Sequence, residues 1–527
     1  MKAIETNTQI PEFGKVRGAL WPIHGVEMKK FLPMGLMMFF ILFNYTILRS
    51  VKDSILVTQA GSAIVPYLKG LVVMPVAILF VVLYSKLVNI FSQEKVFYLI
   101  SGFFISFFAL YAFVLFPNNE FLLPDPAVIK QLQLESPRLQ HMISIYAYWT
   151  DAIFYTMSEL WGSIMLSLLF WQFANEITRT KEAARFYGLF GLLANFALIL
   201  SGFVLTWSAS IQAATENAVE AKAAYGKAFD LTMGSVILAG LVIVYLYYWM
   251  QRNVLTDPFY YDALEKTGSG KGKSKKPKLS VLESFQYLLT SKYIGFIALL
   301  VLAYGVSMNL IELNWKEAIR AVYPSKIDYQ WFMGIVQFAM GFTTIIAILF
   351  FKGIVRRFGW FVGAITTPIM MVVTGAIFFM FILFADFMSP IAIALGVTSM
   401  FMAVIVGTLQ NVLSKGTKYS LFDPTKEMAY IPLDQELKTK GKAAVDVIGG
   451  RLGKAGGGYV VMIIFGITGA SDVLSITPIM AVVVGVVILL WMVAVGGLNR
   501  LYQAAVQVEE KEEAAIDKKL GKKPLVN

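Results

Sequence analysis

About twelve times along this chain, close to twenty consecutive residues pass with almost no charge, and no other feature limits the fold so tightly. In a bilayer every backbone N–H and C=O must be satisfied internally, so only helices or closed barrels can span it. Barrel strands would read as alternating segments of about ten residues, half the length of the runs seen here. The runs lie near 31–48, 67–91, 97–116, 143–173, 186–207 and 229–250, then near 292–313, 331–351, 359–384, 390–413, 455–468 and 476–497. The expected fold is an all-α membrane protein of about 12 transmembrane helices. With 57% of residues hydrophobic and 15% charged, the chain departs from the soluble average of about 45–50% and about 25%, which excludes a soluble enzyme or a disordered scaffold.

Charge sets the orientation. With the N-terminus in the cytoplasm, most of the 45 Lys and Arg residues fall on cytoplasmic ends and loops, among them Arg179, Lys181, Arg185, Lys352, Arg356 and Arg357. Both termini are then cytoplasmic, and the net charge of +11 is mostly a topology signal. The basic residues are dispersed over loops, so no nucleic-acid partner is expected. The densest basic run, Lys271 to Lys278, sits in the longest cytoplasmic connection and is Gly- and Ser-containing, which suits a linker that also meets anionic membrane lipids. The expected organisation is a cytoplasmic segment 1–30, a six-helix bundle 31–250, a basic linker 251–285, a second six-helix bundle 286–498 and a charged cytoplasmic tail 499–527. The halves correspond faintly at an offset of roughly 262–264 residues: Asn44 to Lys52 answers Asn309 to Lys316, and Gly188-Leu-Phe-Gly191 answers Gly450-Arg-Leu-Gly453. Six plus six helices around a central loop is the pattern of a two-bundle, alternating-access carrier with its substrate site at the midplane.

Other chemistries are poorly provided for. The chain has no cysteine and only two histidines, His24 and His141, so thiolate or imidazole metal sites and cysteine nucleophiles are not expected. The first thirty residues mix acids and bases without an apolar core, so no cleavable signal is expected and the first span itself directs insertion.

An ionisable group inside a span costs about 2.5–3.5 kcal/mol on insertion scales, so each one asks for a partner or a polar cavity. The first span ends in Arg49, Lys52 and Asp53, and Lys69 opens the second. Arg49 and Asp53 are four apart and can pair, which would leave Lys52 as the free cation. Interfacial anchoring competes with that role for Lys52, and more strongly for Lys69. The fourth span carries Asp151, Tyr155 and Glu159 at four-residue steps, a polar stripe fit to line a cavity. Glu312 is read in the same way. Such carboxylates could carry protons, or balance the cations that bind substrate. The third cluster runs from Lys442 and Asp446, four apart, to Arg451 and Lys454, with Gly449, Gly453, Gly456 and Gly457 on one helical side where a neighbouring helix can approach. Gly453-Lys454 does not open a phosphate loop, because Ile448 and Ala455 stand where a Gly and a Ser or Thr are required. No ATP hydrolysis is expected. Several cations on different helices point to a polyanionic substrate.

These same residues carry a resemblance. Asn44-Tyr-Thr-Ile-Leu-Arg-Ser-Val-Lys-Asp53, Glu159-Leu-Trp-Gly162, Phe173-Ala-Asn-Glu176, Arg185-Phe-Tyr-Gly-Leu-Phe-Gly191, Asn411 to Asp423, Met428 to Asp434 and Arg451-Leu-Gly-Lys454 resemble the nucleotide transporter (ATP/ADP translocase) family of obligate intracellular bacteria and plastids. The resemblance implies a major-facilitator-like fold in the bacterial inner membrane, exchanging host ATP for internal ADP and phosphate; no cofactor is expected, and the scarcity of Cys and His already argued against a metal site. It places functional positions on Lys52, Glu159, Glu312 and either Lys442 or Lys454. Together with the insertion argument it gives Lys52, Arg451, Lys454 and Lys442 as candidate phosphate ligands, and Glu159, Glu312, Asp151 and Asp446 as candidates for charge balance or coupling. Ser50 stands where many members carry an acid, which leaves proton-coupled import or broader nucleotide exchange open beside ATP/ADP exchange. A monomer is expected.

Overall fold

The computed structural model describes residues 21–211, 218–257, 260, 291–351, 354–433 and 442–519, and among these every regular element is helical. In the first half the long helices are α1 (Met28–Ala60), α2 (Ile64–Ile90), α3 (Gln93–Leu115), α4 (Trp149–Ile177), α5 (Thr180–Ser210) and α6 (Ala218–Asn253). In the second they are α7 (Lys292–Val322), α8 (Lys326–Phe351), α9 (Ile354–Leu383), α10 (Ser399–Met428), α11 (Lys442–Thr468) and α12 (Val473–Lys519).

Fewer of these than the expected twelve are apolar spans in their own right. Among the described residues ten helices are long and apolar enough to cross a membrane, and an eleventh is counted if Ala385–Ala394 and α10, which meet at 86°, are taken as one broken span. The run expected at 390–413 is therefore divided. Gly396 takes a positive φ of 72°, which a side chain would resist, and Thr398 then caps the new helix by accepting from Phe401 N at 3.2 Å. The apolar part of α11 is only Gly456–Thr468, because Lys442, Asp446, Arg451 and Lys454 occupy its first turns. The span expected at 143–173 starts later, at Trp149, because Gln140–Ala147 forms its own short helix and Tyr148 breaks the path with φ −118° and ψ 42°. Most of the expected linker 251–285 lies outside the described residues.

The buried apolar side chains fall into two clusters. One contains only residues of α1–α6 and their flanks, from Ile23 to Val254. The other is built on α7–α12, but it also takes in Leu56, Val57, Ala63 to Val65, Tyr67, Leu68, Ala152 and Tyr155. Those first-half residues sit where α1 ends, α2 begins and α4 begins. The two halves are thus packed together on the face distal to the start of α1.

Polar contacts mark the same distal face. Ser62 N donates to Glu317 Oε2 at 2.8 Å. The Gln59 amide, oriented by its neighbours, donates to Asp151 Oδ2 at 2.8 Å and accepts from Lys326 Nζ at 2.7 Å. His141 lies between the rings of Tyr67 and Phe465, each 4.8 Å away. From there toward mid-membrane α5 and α8 cross at small residues: a Cβ on Gly202 would come within 2.6 Å of Gly334 O and Phe338 N. The glycine side expected on α11 does approach a neighbour, since a Cβ on Gly305 of α7 would lie 2.7 Å from the Gly453 backbone.

Candidate functional site

At the level where the two halves meet, α1, α4 and α7 place six charged side chains in one alternating chain. Helical spacing explains the grouping: Arg49, Lys52 and Asp53 are three and four apart on α1, Tyr155 and Glu159 four apart on α4, and Glu312 and Lys316 four apart on α7. Glu159 Oε1 is 2.9 Å from Lys52 Nζ, which is 3.0 Å from Asp53 Oδ1. Asp53 Oδ2 is 2.9 Å from Lys316 Nζ, an ion contact without hydrogen-bond alignment. Lys316 Nζ is in turn 3.0 Å from Glu312 Oε1, and Arg49 Nη2 reaches the same oxygen at 2.7 Å. The chain crosses between the halves twice, at Asp53–Lys316 and at Arg49–Glu312. The Lys52 ammonium also stands 3.6 Å above the centre of the Tyr155 ring.

Access to this cluster is one-sided. Lys52, Asp53 and Lys316 are 2%, 0% and 3% exposed, whereas Arg49 and Glu159 keep about a quarter of their side-chain surface. Arg49 precedes Lys52 on α1 by one turn toward the N-terminal face, so the cluster is closed distally and reachable from the side where α1 begins.

Two further lysines face the same group of charges. Lys69, on a π-helical turn of α2 (Leu68–Val73), lines a cleft with Asn309, Glu312, Lys316, Gly457 and Gly458. Lys415 of α10 lies within the field of Arg49, Glu312 and Lys316. Counting Arg49, Lys52, Lys69, Lys316 and Lys415 against Asp53, Glu159 and Glu312 leaves a formal excess of two positive charges among the described residues. A charge excess enclosed by apolar helices is costly unless an anion compensates it. Among the described residues no group of His, Asp and Glu is placed to hold a metal ion.

Measured against the sequence, Lys52, Glu159 and Glu312 come together as one cluster. Asp151 does not join them. Two turns from Glu159, it accepts from Tyr111 Oη at 2.7 Å and Asn119 Nδ2 at 3.2 Å, and takes part in the distal contact through Gln59. The single stripe expected on α4 therefore serves two places. Nor does Arg49 pair with Asp53 to free Lys52: Glu312 from α7 captures the guanidinium, and Asp53 holds Lys52 and Lys316 instead. The side chains of Lys442, Asp446, Arg451 and Lys454 lie outside the described residues, although their backbone belongs to α11. Asp53 and Lys316 belong to the cluster and Lys415 lies within its field, placements that sequence reasoning did not make. The offset between halves was the available signal for Lys316, which stands 264 positions after Lys52.

Comparison with known proteins agrees with this architecture. The major-facilitator-like shape is matched by a nucleoside transporter, NupG, with a TM-score of 0.51 and 12% identity over 88% of this chain and 99% of that one. A D-xylose-proton symporter matches with a TM-score of 0.51 and 13% identity, over 88% and 97%. At such identities the likeness concerns the fold alone. Sequence relatives are much nearer: ADP,ATP carrier protein 1 of Chlamydia pneumoniae is 44% identical over 97% of this chain and 99% of its own, and ADP,ATP carrier protein 1 of Rickettsia bellii is 45% identical over 97% and 100%. The model of the family described as TLC ATP/ADP transporter matches residues 6–502, and the chain belongs to that family.

Proposed function

We propose that the chain exchanges external ATP for internal ADP, with phosphate, across a bacterial inner membrane by alternating access, its N-terminal face in the cytoplasm. The observation that carries this reading is the half-enclosed cluster whose basic groups outnumber its carboxylates by two and whose ion pairs bridge the two halves. A chain of phosphates supplies the missing negative charge and offers oxygen partners to ammonium and guanidinium groups. The names of the curated relatives support the same cargo.

The arrangement also accounts for obligatory exchange. Asp53–Lys316 and Arg49–Glu312 tie the halves together. Opening the distal face would separate both pairs in a low-dielectric setting, and breaking one buried pair costs about 3–5 kcal/mol. A bound nucleotide provides replacement partners for the lysines and the arginine, so the loaded carrier reorients where the empty one is held. Proton-coupled import is less well supported, because each carboxylate of the cluster already has a cation within 3.0 Å and serves as a counter-ion. Arg451, Lys454, Lys442 and Asp446 on α11 are proposed to act from the second half on the same cargo, as a monomer embedded in membrane lipid.

The test is uptake of labelled ATP into vesicles containing the purified chain, with and without internal ADP, and with the proton gradient collapsed. The reading expects uptake that requires internal ADP and persists without the gradient. Uptake that ignores internal ADP and stops with the gradient would replace exchange by proton coupling.

A further inference from the structure

The cations of the cluster are of two kinds. Lys52 and Lys316 each touch two carboxylates at 2.9–3.0 Å, and Arg49 holds Glu312. Lys69 and Lys415 differ, since neither makes an ion pair or a hydrogen bond among the described residues. Both are half-buried: Lys69, in the first half, lines the cleft with Glu312 and Lys316, and Lys415, in the second, lies within the field of Arg49, Glu312 and Lys316. The nearby Lys418 on α10 is committed to Asp423 at 2.6 Å and lies over the Tyr419 ring.

We propose that Lys69 and Lys415 are the side chains that first hold the phosphates of the nucleotide, one from each half, and that Lys52 and Lys316 chiefly keep the empty cluster intact. The inference rests on the nucleotide-exchange reading and adds the division of labour within it. An unpaired ammonium is free to bind an incoming oxyanion with no contact to break. Lys52 already directs two of its three ammonium donors at Asp53 and Glu159. Placing one free cation in each half also lets a single polyanion join the halves, as a carrier that moves only when loaded requires. The π-helical turn around Lys69 strengthens the assignment, because such turns displace a side chain from the regular helical register and recur at functional positions.

This division predicts opposite effects on the empty protein and on binding. In Lys69→Gln and Lys415→Gln a half-buried cation that makes no ion pair among the described residues is removed, so the empty protein should unfold at the same temperature as the wild type or higher. In Lys52→Gln a lysine is taken from between Asp53 and Glu159, and the empty protein should unfold at a lower temperature. The experiment is thermal unfolding of the purified full-length chain, without ligand and across titrations of ATP, pyrophosphate and inorganic phosphate. Each of Lys69→Gln and Lys415→Gln should weaken ATP binding about 10- to 100-fold, the size of one lost charge-assisted contact. Pyrophosphate binding should weaken with it, and Lys415→Arg, which keeps the charge, should recover most of the ATP affinity. ATP affinity within about twofold of wild type in both glutamine variants, or a loss of empty-state stability like that of Lys52→Gln, would overturn the assignment and leave the exchange reading standing. A wild-type protein that gains no stability from ATP would take both down.

Discussion

Asp53→Asn tests the idea that the ion chain holds the distal face shut. Asp53 is fully buried and stands between Lys52 of its own helix and Lys316 of the other half. The amide keeps the size of the side chain and removes its charge, leaving Lys52 with Glu159 and Lys316 with Glu312. Breaking a buried pair costs about 3–5 kcal/mol, and only one of the two Asp53 contacts crosses between the halves, so about 1.5–2.5 kcal/mol of closure should be lost. At about 1.4 kcal/mol per factor of ten, the distally open fraction should rise about 10- to 60-fold. The chain has no cysteine of its own, so a single reporter can be read without background. Ser62→Cys suits the purpose, because the Ser62 side chain is 0% exposed and its backbone N–H is held by Glu317 across the closure. A membrane-impermeant maleimide should label this reporter faster in Asp53→Asn by that factor, while a control reporter at Phe121, 89% exposed, labels equally in both backgrounds. Equal labelling at position 62 with a normal control would refute the reasoning.

Three other outcomes follow from the same geometry. Gly202→Ala should lower the unfolding midpoint and exchange together by an overpacking cost of about 1–3 kcal/mol, because the added methyl meets the backbone of α8 at 2.6 Å; an unchanged midpoint would contradict the described crossing. Tyr155→Phe should leave stability unchanged or slightly raised, since it keeps the ring beneath Lys52 and removes a buried hydroxyl with no partner among the described residues, whereas Tyr155→Leu should cost up to about 2 kcal/mol; equal losses would refute the ring contact. Burial between Tyr67 and Phe465 holds His141 below its ordinary pKa near 6.5, so its neutral form belongs to the closed face. Its contribution is complete above that value and is lost as pH falls toward the lowered one, so Ser62→Cys labelling, taken relative to the exposed reporter at position 121 to cancel the loss of thiolate, should quicken under acid, and His141→Phe should abolish the change.

The helical membrane fold was legible because lipid permits few alternatives: uncharged runs of about twenty residues, read with the lysine and arginine distribution, dictate helices and suggest a topology. The divided helix at Gly396 was not legible, since periodicity carries no signal for one glycine at positive φ. Within the site, insertion cost isolated Lys52, Glu159 and Glu312, and all three are in the cluster. The pairing escaped because it is tertiary: on α1 alone Arg49 and Asp53 are natural partners, and only the approach of α7 offers Glu312 to one and Lys316 to the other. Asp151 stands apart from the cluster for the related reason that two turns of helix separate it from Glu159 and aim it at Tyr111 and Asn119. Lys415 attracts no notice in sequence, where it is one lysine in a polar helix end, and its interest comes from having no ion pair among the described residues while lying within the field of Arg49 and Glu312.

The central claim is that a half-enclosed excess of positive charge, shared by the two halves, selects the cargo by its phosphates. Binding of adenosine, AMP, ADP and ATP to the purified chain, measured under one set of salt conditions, tests it most directly. The account predicts affinity that rises with each phosphate, with ATP and ADP at least about 100-fold tighter than adenosine, as two charge-assisted contacts of modest strength require. Adenosine binding as tightly as ATP would contradict it.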